Sequence, residues 1–280
     1  VTPFRDDVTV DVVALTKLVN FNIENGTNYL VINGTTGESG TITEDEKLLI
    51  IDVIVKANNK RVPLVLGVGG NNTLSVVNEL KTRDLSEIDG ILSVAPYYSK
   101  PTQEGFYQHY KAIAEATDKP VILYNVPGRT AKNMEPSTTI RLANDFSNIV
   151  AVKEAGNNQQ QYNTLLKNKP ANFLLISGDD DLALGVALAG GSGVISVIGQ
   201  AFPREFSTMI NHGLEGNNKE GYAIHFKMMD IIDYIFEENN PAGIKTVLQE
   251  LDICSNNVRL PLVKASTALE TKIKKFVENF

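Results

Sequence analysis

One lysine, Lys153, lies at a position in the sequence that would favour a nucleophilic amine. Lys153 ends the apolar run 149–152, which has the composition of a buried strand. A lysine at the end of such a strand is partly desolvated, and desolvation favours the neutral amine. A neutral amine attacks a ketone carbonyl and forms a Schiff base. The alternative is that Lys153 pairs with Glu154 or extends into solvent.

Hydroxyl groups follow other apolar runs. Tyr124 ends the run before the lysine strand, and a phenol beside the amine could transfer protons while a carbinolamine forms and dehydrates. Thr35 and Thr36 stand between Gly34 and Gly37, which allow a ligand to approach the backbone closely. Their hydroxyls and amides suit a carboxylate. The alternatives are a tyrosine in the core and threonines that cap the next helix.

Further groups follow the later runs. Arg129 stands in a loop, where its planar fork matches a carboxylate, although a surface arginine is the alternative. Gly178 and Ile195 end two later strands and would contribute backbone groups only. The three histidines show no metal-ligand spacing, and the acidic run 179–181 opens a helix, where acids suit the helix dipole. We therefore expect no metal site.

The elements that must position these groups are short strands alternating with amphipathic helices. The strand-like runs are rich in Val, Ile and Leu with little polar alternation, as in a parallel sheet; they are residues 29–32, 62–67, 90–94, 120–124, 148–153, 172–177 and 193–197. Residues 1–4 resemble the tail of one more strand, so we expect the sequence to begin inside the natural protein. Eight strands, each followed by a helix, predict a (β/α)8 TIM barrel, with a doubly wound open sheet as the alternative.

Strand-like runs stop after about residue 203, and four helical segments follow, at 205–212, 219–237, 241–250 and 261–278. We expect a barrel domain over residues 1–214 and a C-terminal helical extension over residues 215–280 that packs on it. Chemistry in such barrels lies at the C-terminal ends of the strands. The lysine, tyrosine, threonines and arginine are therefore expected at one mouth.

Composition excludes several classes of protein. The 280 residues carry a formal net charge of −7, which argues against nucleic-acid binding. No apolar stretch approaches the roughly 20 residues that span a bilayer. The sequence does not open with a charged segment followed by an apolar one, so we expect no secretory signal. The single cysteine, Cys254, cannot form an intrachain disulfide, and we expect it to be a buried thiol in a cytoplasmic protein.

Five motifs, in order and with matching spacing along nearly the whole chain, resemble the dihydrodipicolinate synthase family. They are Gly34-Thr35-Thr36-Gly37-Glu38-Ser39, Pro96-Tyr97-Tyr98, Tyr124-Asn125-Val126-Pro127-Gly128-Arg129-Thr130, Val152-Lys153-Glu154-Ala155 and Ser177-Gly178-Asp179-Asp180. The resemblance implies a lyase of diaminopimelate and lysine biosynthesis. Pyruvate would form an imine with Lys153, and the derived enamine would attack L-aspartate-4-semialdehyde. The covalent imine would replace any cofactor.

The resemblance also implies roles for individual residues. Thr35 and Thr36 would hold the pyruvate carboxylate, and Tyr124 would be the principal acid and base. Thr36 would link Tyr124 to Tyr98 in a proton relay. Because Tyr98 would reach into the site of a neighbouring subunit, the family pattern implies a tight dimer, commonly assembled into a homotetramer.

Arg129 favours one branch of the superfamily. It would bind the carboxylate of the semialdehyde, while Gly178 and Ile195 would line the site with backbone carbonyls. Lyases of the N-acetylneuraminate type usually lack this arginine, so they are the less favoured alternative. A non-catalytic keto-acid sensor needs no proton relay, and a metal-dependent aldolase would need a ligand cluster.

Many relatives bind lysine at a dimer interface as a feedback inhibitor. The corresponding positions in this sequence are Ser39, Gly40, Glu44, Lys47, Asn71, Ser75 and Tyr97. Lysine-sensitive enzymes tend to carry His or Glu where Lys47 and Ser75 stand. An unpaired Lys47 would repel the ammonium of lysine, and Ser75 supplies no carboxylate to hold it. We therefore expect weak or absent lysine inhibition.

Overall fold

The computed structural model describes every residue from Val1 to Phe280. The chain forms two compact units. The first unit comprises Val1–Pro63, Ser196–Asn211 and Lys219–Phe280, and the second unit comprises Leu64–Ile195 and His212–Asn218.

The first unit contains one short strand and most of the C-terminal helices. Helices that cross a unit boundary are counted with the unit that holds most of their residues. Its elements are α1 (Val12–Glu24), β1 (Leu30–Ile32), α2 (Glu44–Asn58), α9 (Pro203–Glu215), α10 (Asn218–Glu237), α11 (Ala242–Glu250) and α12 (Thr267–Val277).

The second unit is a parallel sheet with a helix between successive strands. Its strands are β2 (Leu64–Gly67), β3 (Gly90–Val94), β4 (Val121–Asn125), β5 (Ile149–Glu154), β6 (Leu174–Ser177) and β7 (Gly193–Val194). Its helices are α3 (Thr73–Thr82), α4 (Gln103–Ala114), α5 (Pro127–Thr130), α6 (Pro136–Asp145), α7 (Gln159–Asn168) and α8 (Ala183–Leu188). Each strand from β2 to β7 pairs in parallel with the next. The predicted α/β class and the seven predicted strand positions are confirmed.

Strands β2 to β5 of the second unit are largely buried on both faces, as their apolar composition predicts, whereas β6 begins at an exposed residue and β7 is half-buried. All five residues of β4 are buried, and so are the apolar residues of β5 apart from Val150. Because the carboxyl ends of parallel strands meet at the same edge of a sheet, the polar residues that end β4, β5 and β6 are neighbours.

The strand predicted at residues 1–4 is wrong. Phe4 forms one isolated antiparallel bridge with Val10 and joins no named strand. The chain turns back at once because Asp7 Oδ1 accepts hydrogen bonds from the amide and the hydroxyl of Thr9, at 3.0 and 2.6 Å. Backbone bonds close the turn: the Arg5 amide donates to the Thr9 carbonyl and the Asp11 amide donates to the Pro3 carbonyl, each at 2.9 Å.

The four helical segments predicted after residue 203 are confirmed as α9 to α12, with different ends. The last helix begins later than predicted because Ser266, not Pro261, caps it: the Ser266 hydroxyl accepts from the amide of Leu269 at 3.3 Å. None of the helices combines the length and the apolar character needed to cross a membrane.

Candidate active site

Lys153 and Tyr124 are direct neighbours at the ends of two paired strands. They are register partners on β5 and β4. The Lys153 Nζ lies 4.2 Å from the centroid of the Tyr124 ring. Tyr124 is buried and Lys153 is half-buried, so the amine stands over an aromatic face with only limited contact with solvent. The predicted proximity of amine and tyrosine is present in the structure.

Gly178, which directly follows β6, leaves the space that the lysine side chain occupies. A Cβ atom at this position would lie 2.8 Å from Lys153 Cε and 2.6 Å from Ala155 Cβ. The Gly178 amide also donates to the Glu154 carbonyl at 2.6 Å. Sequence reasoning gave this glycine only a backbone role, whereas its missing side chain is what lets the amine extend past β6.

Ile195 directly follows β7, and its amide donates to the Ser177 carbonyl at 2.9 Å. This bond continues the β6–β7 pairing by one residue beyond the strand. The predicted role of Gly178 and Ile195, lining a site with backbone carbonyls, stays a prediction.

A buried polar cluster lies on the faces of β4 and β5 that are opposite to Tyr124 and Lys153. Successive residues of a strand point to opposite faces, so Asn125 and Glu154 lie behind Tyr124 and Lys153. The two are register partners, and Asn125 Nδ2 donates to the Glu154 carboxylate at 2.9 and 3.1 Å. Gln161 Nε2 donates to the same carboxylate at 2.8 Å. Glu154 therefore bonds to two amides rather than pairing with Lys153.

Burial has the largest effect on the pKa values of the carboxyl groups in this cluster. Desolvation raises the pKa of Glu154 to about 7, against the opposing effect of its hydrogen bonds from Asn125 and Gln161. Burial likewise raises the pKa of Asp179, whose carboxylate accepts from the Asn157 amide at 2.9 Å and from the Tyr162 hydroxyl at 3.1 Å. At a pKa of about 7, the Glu154 carboxyl changes charge near neutrality, and groups with strongly shifted pKa values cluster at functional sites.

Arg129 lies on α5, a single helical turn that directly follows β4. Its side chain is exposed, while the neighbouring Thr130 is buried and donates to the Lys132 carbonyl at 2.9 Å. Asn133, which ends this loop, accepts from Asn125 Nδ2 at 2.8 Å. The arginine is thus presented to solvent on a loop that is fastened at both ends to the sheet.

Thr35 and Thr36 lie in the first unit, in a 3-10 turn over Thr35–Gly37. Asn240 Nδ2 donates to Thr36 Oγ1 at 2.9 Å, so the hydroxyl proton of Thr36 remains available for another acceptor. Asn240 is buried, and its Oδ1 has no hydrogen-bond partner. No local sequence pattern indicates this contact, because it joins residues 204 positions apart.

A buried ion pair supports the threonine turn. Glu38, the next residue after the turn, accepts from Lys245 Nζ at 2.5 Å, and both side chains are almost fully buried. Lys245 also donates to the Asn257 carbonyl at 2.7 Å, and the Arg259 amide donates to Glu38 at 2.9 Å. Burial lowers the pKa of Lys245, while the charge of Glu38 opposes that shift.

Tyr97 and Tyr98 follow β3. The Tyr98 side chain is 90% exposed, and its backbone has a φ of 67°, in the left-handed region that non-glycine residues rarely adopt. This conformation aims the ring into solvent. Tyr98 therefore has the exposure that its predicted role toward a second subunit requires, while the role itself stays a prediction.

The predicted lysine-binding positions are spread over both units. Ser39 and Lys47 belong to the first unit, and Asn71 and Tyr97 belong to the second. Lys47 Nζ lies 2.6 Å from Glu44 Oε1, so its charge is paired. Asn71 and Tyr97 are exposed.

Comparison with known proteins identifies the family. The model of the dihydrodipicolinate synthetase family matches residues 1–280. The 4-hydroxy-tetrahydrodipicolinate synthase of Flavobacterium psychrophilum is 54% identical over 278 residues, covering 99% of this chain and 95% of that protein. Similar curated proteins with the same name include that of Parabacteroides distasonis, 51% identical over 98% of this chain and 92% of that protein.

Solved structures agree with the sequence comparisons. The dihydrodipicolinate synthase of Aquifex aeolicus superposes with a TM-score of 0.96 at 37% identity, covering 100% of this chain and 95% of that chain. The chloride-inhibited enzyme of Acinetobacter baumannii, solved in complex with pyruvate, also gives a TM-score of 0.96 at 37% identity, with coverages of 100% and 96%.

The resemblance seen in five motifs is confirmed by these matches. Members of the family are lyases with the TIM-barrel fold, the architecture predicted from the alternation of strands and helices. The family model spans every residue, and relatives with 54% and 51% sequence identity cover nearly the whole chain, so this chain belongs to the dihydrodipicolinate synthetase family.

Proposed function

We propose that the chain is a 4-hydroxy-tetrahydrodipicolinate synthase, which condenses pyruvate with L-aspartate-4-semialdehyde on the first committed step of diaminopimelate and lysine biosynthesis. The observation that carries the proposal is the Lys153 amine held 4.2 Å over the Tyr124 ring, in space that Gly178 leaves open. The names of the curated relatives and the pyruvate complex of one solved relative support it.

The chemistry follows from an amine beside a proton donor. The neutral Lys153 amine adds to the ketone carbon of pyruvate, and loss of water gives the imine. The imine draws electrons from the adjacent methyl group, which loses a proton and becomes an enamine. The enamine carbon bonds to the aldehyde carbon of the semialdehyde. The amino group of the adduct then displaces the lysine and closes the ring, so that one water is released overall and no cofactor is consumed.

Proton transfers are assigned to the tyrosines. The Tyr124 phenol, next to the amine, gives and takes protons as the carbinolamine forms and dehydrates. From the family pattern we propose Thr35 and Thr36 as the groups that hold the pyruvate carboxylate. Thr36, with its oxygen fixed by Asn240, retains a proton to donate, as a relay between Tyr124 and Tyr98 requires.

Arg129 is proposed as the residue that selects the second substrate. Its exposed guanidinium, on a loop fastened behind the lysine strand, can bind a carboxylate in a bidentate manner. The backbone carbonyls of Gly178 and Ile195 are proposed to line the site. A short aldehyde with a carboxylate has the matching group, whereas an amino sugar does not.

The assembly is proposed to be a homotetramer of tight dimers. The support is Tyr98, whose ring is 90% exposed in the single chain and would be covered by a second copy. We also propose a barrel domain over residues 1–214 and a helical extension over residues 215–280, supported by the absence of strands after Val194. The single buried cysteine, Cys254, is consistent with a proposed cytoplasmic location.

The decisive experiment compares aldehyde partners. Pyruvate consumption would be followed with either L-aspartate-4-semialdehyde or N-acetylmannosamine. Consumption with the semialdehyde alone is expected. Consumption with the amino sugar alone would keep the Schiff base but place the chain with the sialic-acid lyases, and it would refute the role of Arg129. Binding of pyruvate without borohydride capture at Lys153 would indicate a sensor.

A further inference from the structure

A ring of side-chain amides, two buried and one half-buried, closes around one buried carboxylate directly behind the lysine and tyrosine pair. Asn125 Nδ2 donates to Asn133 Oδ1 at 2.8 Å as well as to Glu154. Asn133 Nδ2 donates to Gln161 Oε1 at 2.8 Å, and Gln161 Nε2 donates back to Glu154 at 2.8 Å. We call these four residues the amide ring.

The amide ring brackets the loop that carries Arg129. Asn125 is the last residue of β4, and Asn133 follows the loop, so their side-chain bond joins the two ends. The Met134 amide donates to Asn125 Oδ1 at 2.9 Å and fastens the same end a second time. Displacing Asn133, at the C-terminal end of the loop, therefore breaks a bond of the amide ring.

The β5–α7 loop presses against the same segment. A Cβ at Gly156 would lie 2.6 Å from Glu154 Oε1 and 3.4 Å from Pro127 Cγ. Pro127 begins α5, two residues before Arg129. The loop that bears the arginine is thus packed against Gly156, beside the carboxylate.

Every amide in the ring has a fixed orientation. Asn125 cannot flip because its oxygen accepts from Met134, and Gln161 cannot flip because its oxygen accepts from Asn133. Both therefore turn their nitrogens toward position 154. Both nitrogens reach the same carboxylate oxygen, Glu154 Oε2, at 2.9 and 2.8 Å, and Asn125 also reaches Oε1 at 3.1 Å. An amide at position 154 would replace one of these two acceptor oxygens with a donor nitrogen.

We propose that Glu154 is a positioning residue that holds the Arg129 loop in place and thereby sets the affinity for the carboxylate-bearing second substrate. The inference rests on the proposed function and deepens it. Glu154 touches no reacting atom, because its side chain points to the opposite face of β5 from Lys153. It acts through Asn125 and Asn133 on the position of the guanidinium.

The two substrates of the reaction depend on different contacts. Pyruvate capture depends on Lys153 and Tyr124, which their strand pairing holds in register without the ring. Binding of the second substrate depends on Arg129, whose loop needs the ring. Loss of the Glu154 carboxylate should therefore weaken binding of the second substrate and leave pyruvate capture unchanged. General unfolding would weaken both.

The test is Glu154→Gln, which keeps the shape of the side chain but turns an amide nitrogen toward a donor. At about pH 8, where a carboxyl with a pKa of about 7 is mostly ionised, we expect the KM for the semialdehyde to rise about tenfold, the scale for losing a buried hydrogen bond to a charged group. Borohydride capture of pyruvate should remain at the wild-type level. The matched control is Glu115→Gln, which removes an exposed carboxylate at the C-terminal end of α4. It should change neither the KM for the semialdehyde nor the borohydride capture of pyruvate.

A second substitution tests whether the pairing itself is responsible. In Glu154→Gln/Gln161→Glu, the new carboxylate can accept from Asn133 Nδ2 and from the glutamine at 154, but it loses the bond that Gln161 Nε2 donates to Asn133 Oδ1 at 3.1 Å, so the ring is restored in part with its acid moved. The KM for the semialdehyde should return toward the wild-type value. If Glu154→Gln does not fold, Asn133→Ala opens the ring at the loop end and is expected to raise the same KM.

Three results would overturn the inference: an unchanged KM for the semialdehyde, an equal rise in KM for both substrates, or loss of pyruvate capture together with the rise. Failure of the proposed function is a separate result, because it would appear in the wild-type protein as no borohydride capture or no consumption of the semialdehyde.

Discussion

Lys153 and Tyr124 occupy paired positions on adjacent parallel strands, with the lysine amine 4.2 Å from the centroid of the tyrosine ring. The strand register sets this distance, because neighbouring residues in register share one face of the sheet. The proposed nucleophile and its proposed acid and base are therefore placed by the backbone, before any substrate binds.

The first prediction concerns the nucleophile. Lys153→Ala should abolish both turnover and borohydride capture of pyruvate, because no other amine occupies this position. Mass spectrometry of the reduced protein would detect the pyruvate adduct in the wild type and in Lys111→Ala, an exposed lysine of α4 that pairs with Glu115. An adduct on Lys153→Ala would show that another residue is the nucleophile.

The second prediction concerns the exposed tyrosine. Tyr98→Phe should lower kcat by roughly 10²-fold, the usual scale for losing a proton-transfer group. The matched control is Tyr222→Phe, which removes the hydroxyl of an exposed tyrosine on α10. Steady-state rates of both variants at saturating substrates would decide the matter. Near-normal turnover in Tyr98→Phe would remove this tyrosine from the relay.

Sequence patterns located the strands and the lysine and tyrosine pair for a simple physical reason. Strands buried on both faces are continuous apolar runs, so Lys153 and Tyr124 were visible as polar residues at their ends. The prediction of a first strand at residues 1–4 was wrong because apolar composition alone could not reveal the turn at Asp7. That turn reverses the chain, so that Phe4 forms an antiparallel bridge with Val10.

The supporting contacts were beyond the sequence because they join distant positions. Glu154 looked like a partner of Lys153, its neighbour in sequence, yet it bonds to amides on other elements. Asn240 reaches Thr36 across 204 positions, and Lys245 reaches Glu38 across 207. No local periodicity records such pairs, since they exist only when the chain is folded.

The third prediction is a pH dependence of stability. Burial raises the pKa of Glu154 to about 7 from an ordinary 4.5, so the folded protein holds this proton more tightly than the unfolded chain. The stabilisation is fully present below about pH 4.5 and is lost as the pH rises through about 7. Asp179 and the hydroxyl of Tyr162 are the other titratable groups near this carboxyl.

Unfolding by urea across this pH range would measure that effect. The free energy of unfolding of the wild type, relative to Glu154→Gln, should fall by roughly 3 kcal/mol as the pH rises, since each unit of pKa difference corresponds to about 1.4 kcal/mol. Glu115→Gln, which removes an exposed carboxylate, is the control for the loss of a charge in itself. A flat difference for Glu154→Gln would mean that burial does not shift this carboxyl.

The fourth prediction is weak or absent inhibition by lysine. Pairing of Lys47 with Glu44 removes part of the repulsion expected from an unpaired ammonium. Weak binding of lysine is therefore expected mainly because Ser75 offers no carboxylate to hold the ligand's ammonium. An inhibition curve should show no half-loss of activity at sub-millimolar lysine. Ser75→Glu is expected to increase sensitivity. Half-loss in the wild type at sub-millimolar lysine would contradict the prediction.

The fifth prediction tests the buried ion pair behind the threonine turn. Lys245→Met should lower the free energy of unfolding by about 3–5 kcal/mol, the range for removing one partner of a buried pair, because the carboxylate of Glu38 would remain buried without its cation. Lys245→Met/Glu38→Gln should recover much of the loss, since no unpaired charge is left. The exposed pair of Lys56 and Asp52 supplies the control, and Lys56→Met should cost less than about 1 kcal/mol.

The same variants connect the ion pair to the proposed pyruvate site. Glu38 directly follows the turn that contains Thr35 and Thr36, so a displaced Glu38 should also displace the threonine hydroxyls. We expect the KM for pyruvate to rise in Lys245→Met under conditions where the protein is fully folded. A large loss of stability with an unchanged KM for pyruvate would show that the ion pair holds the fold of the first unit without positioning the turn.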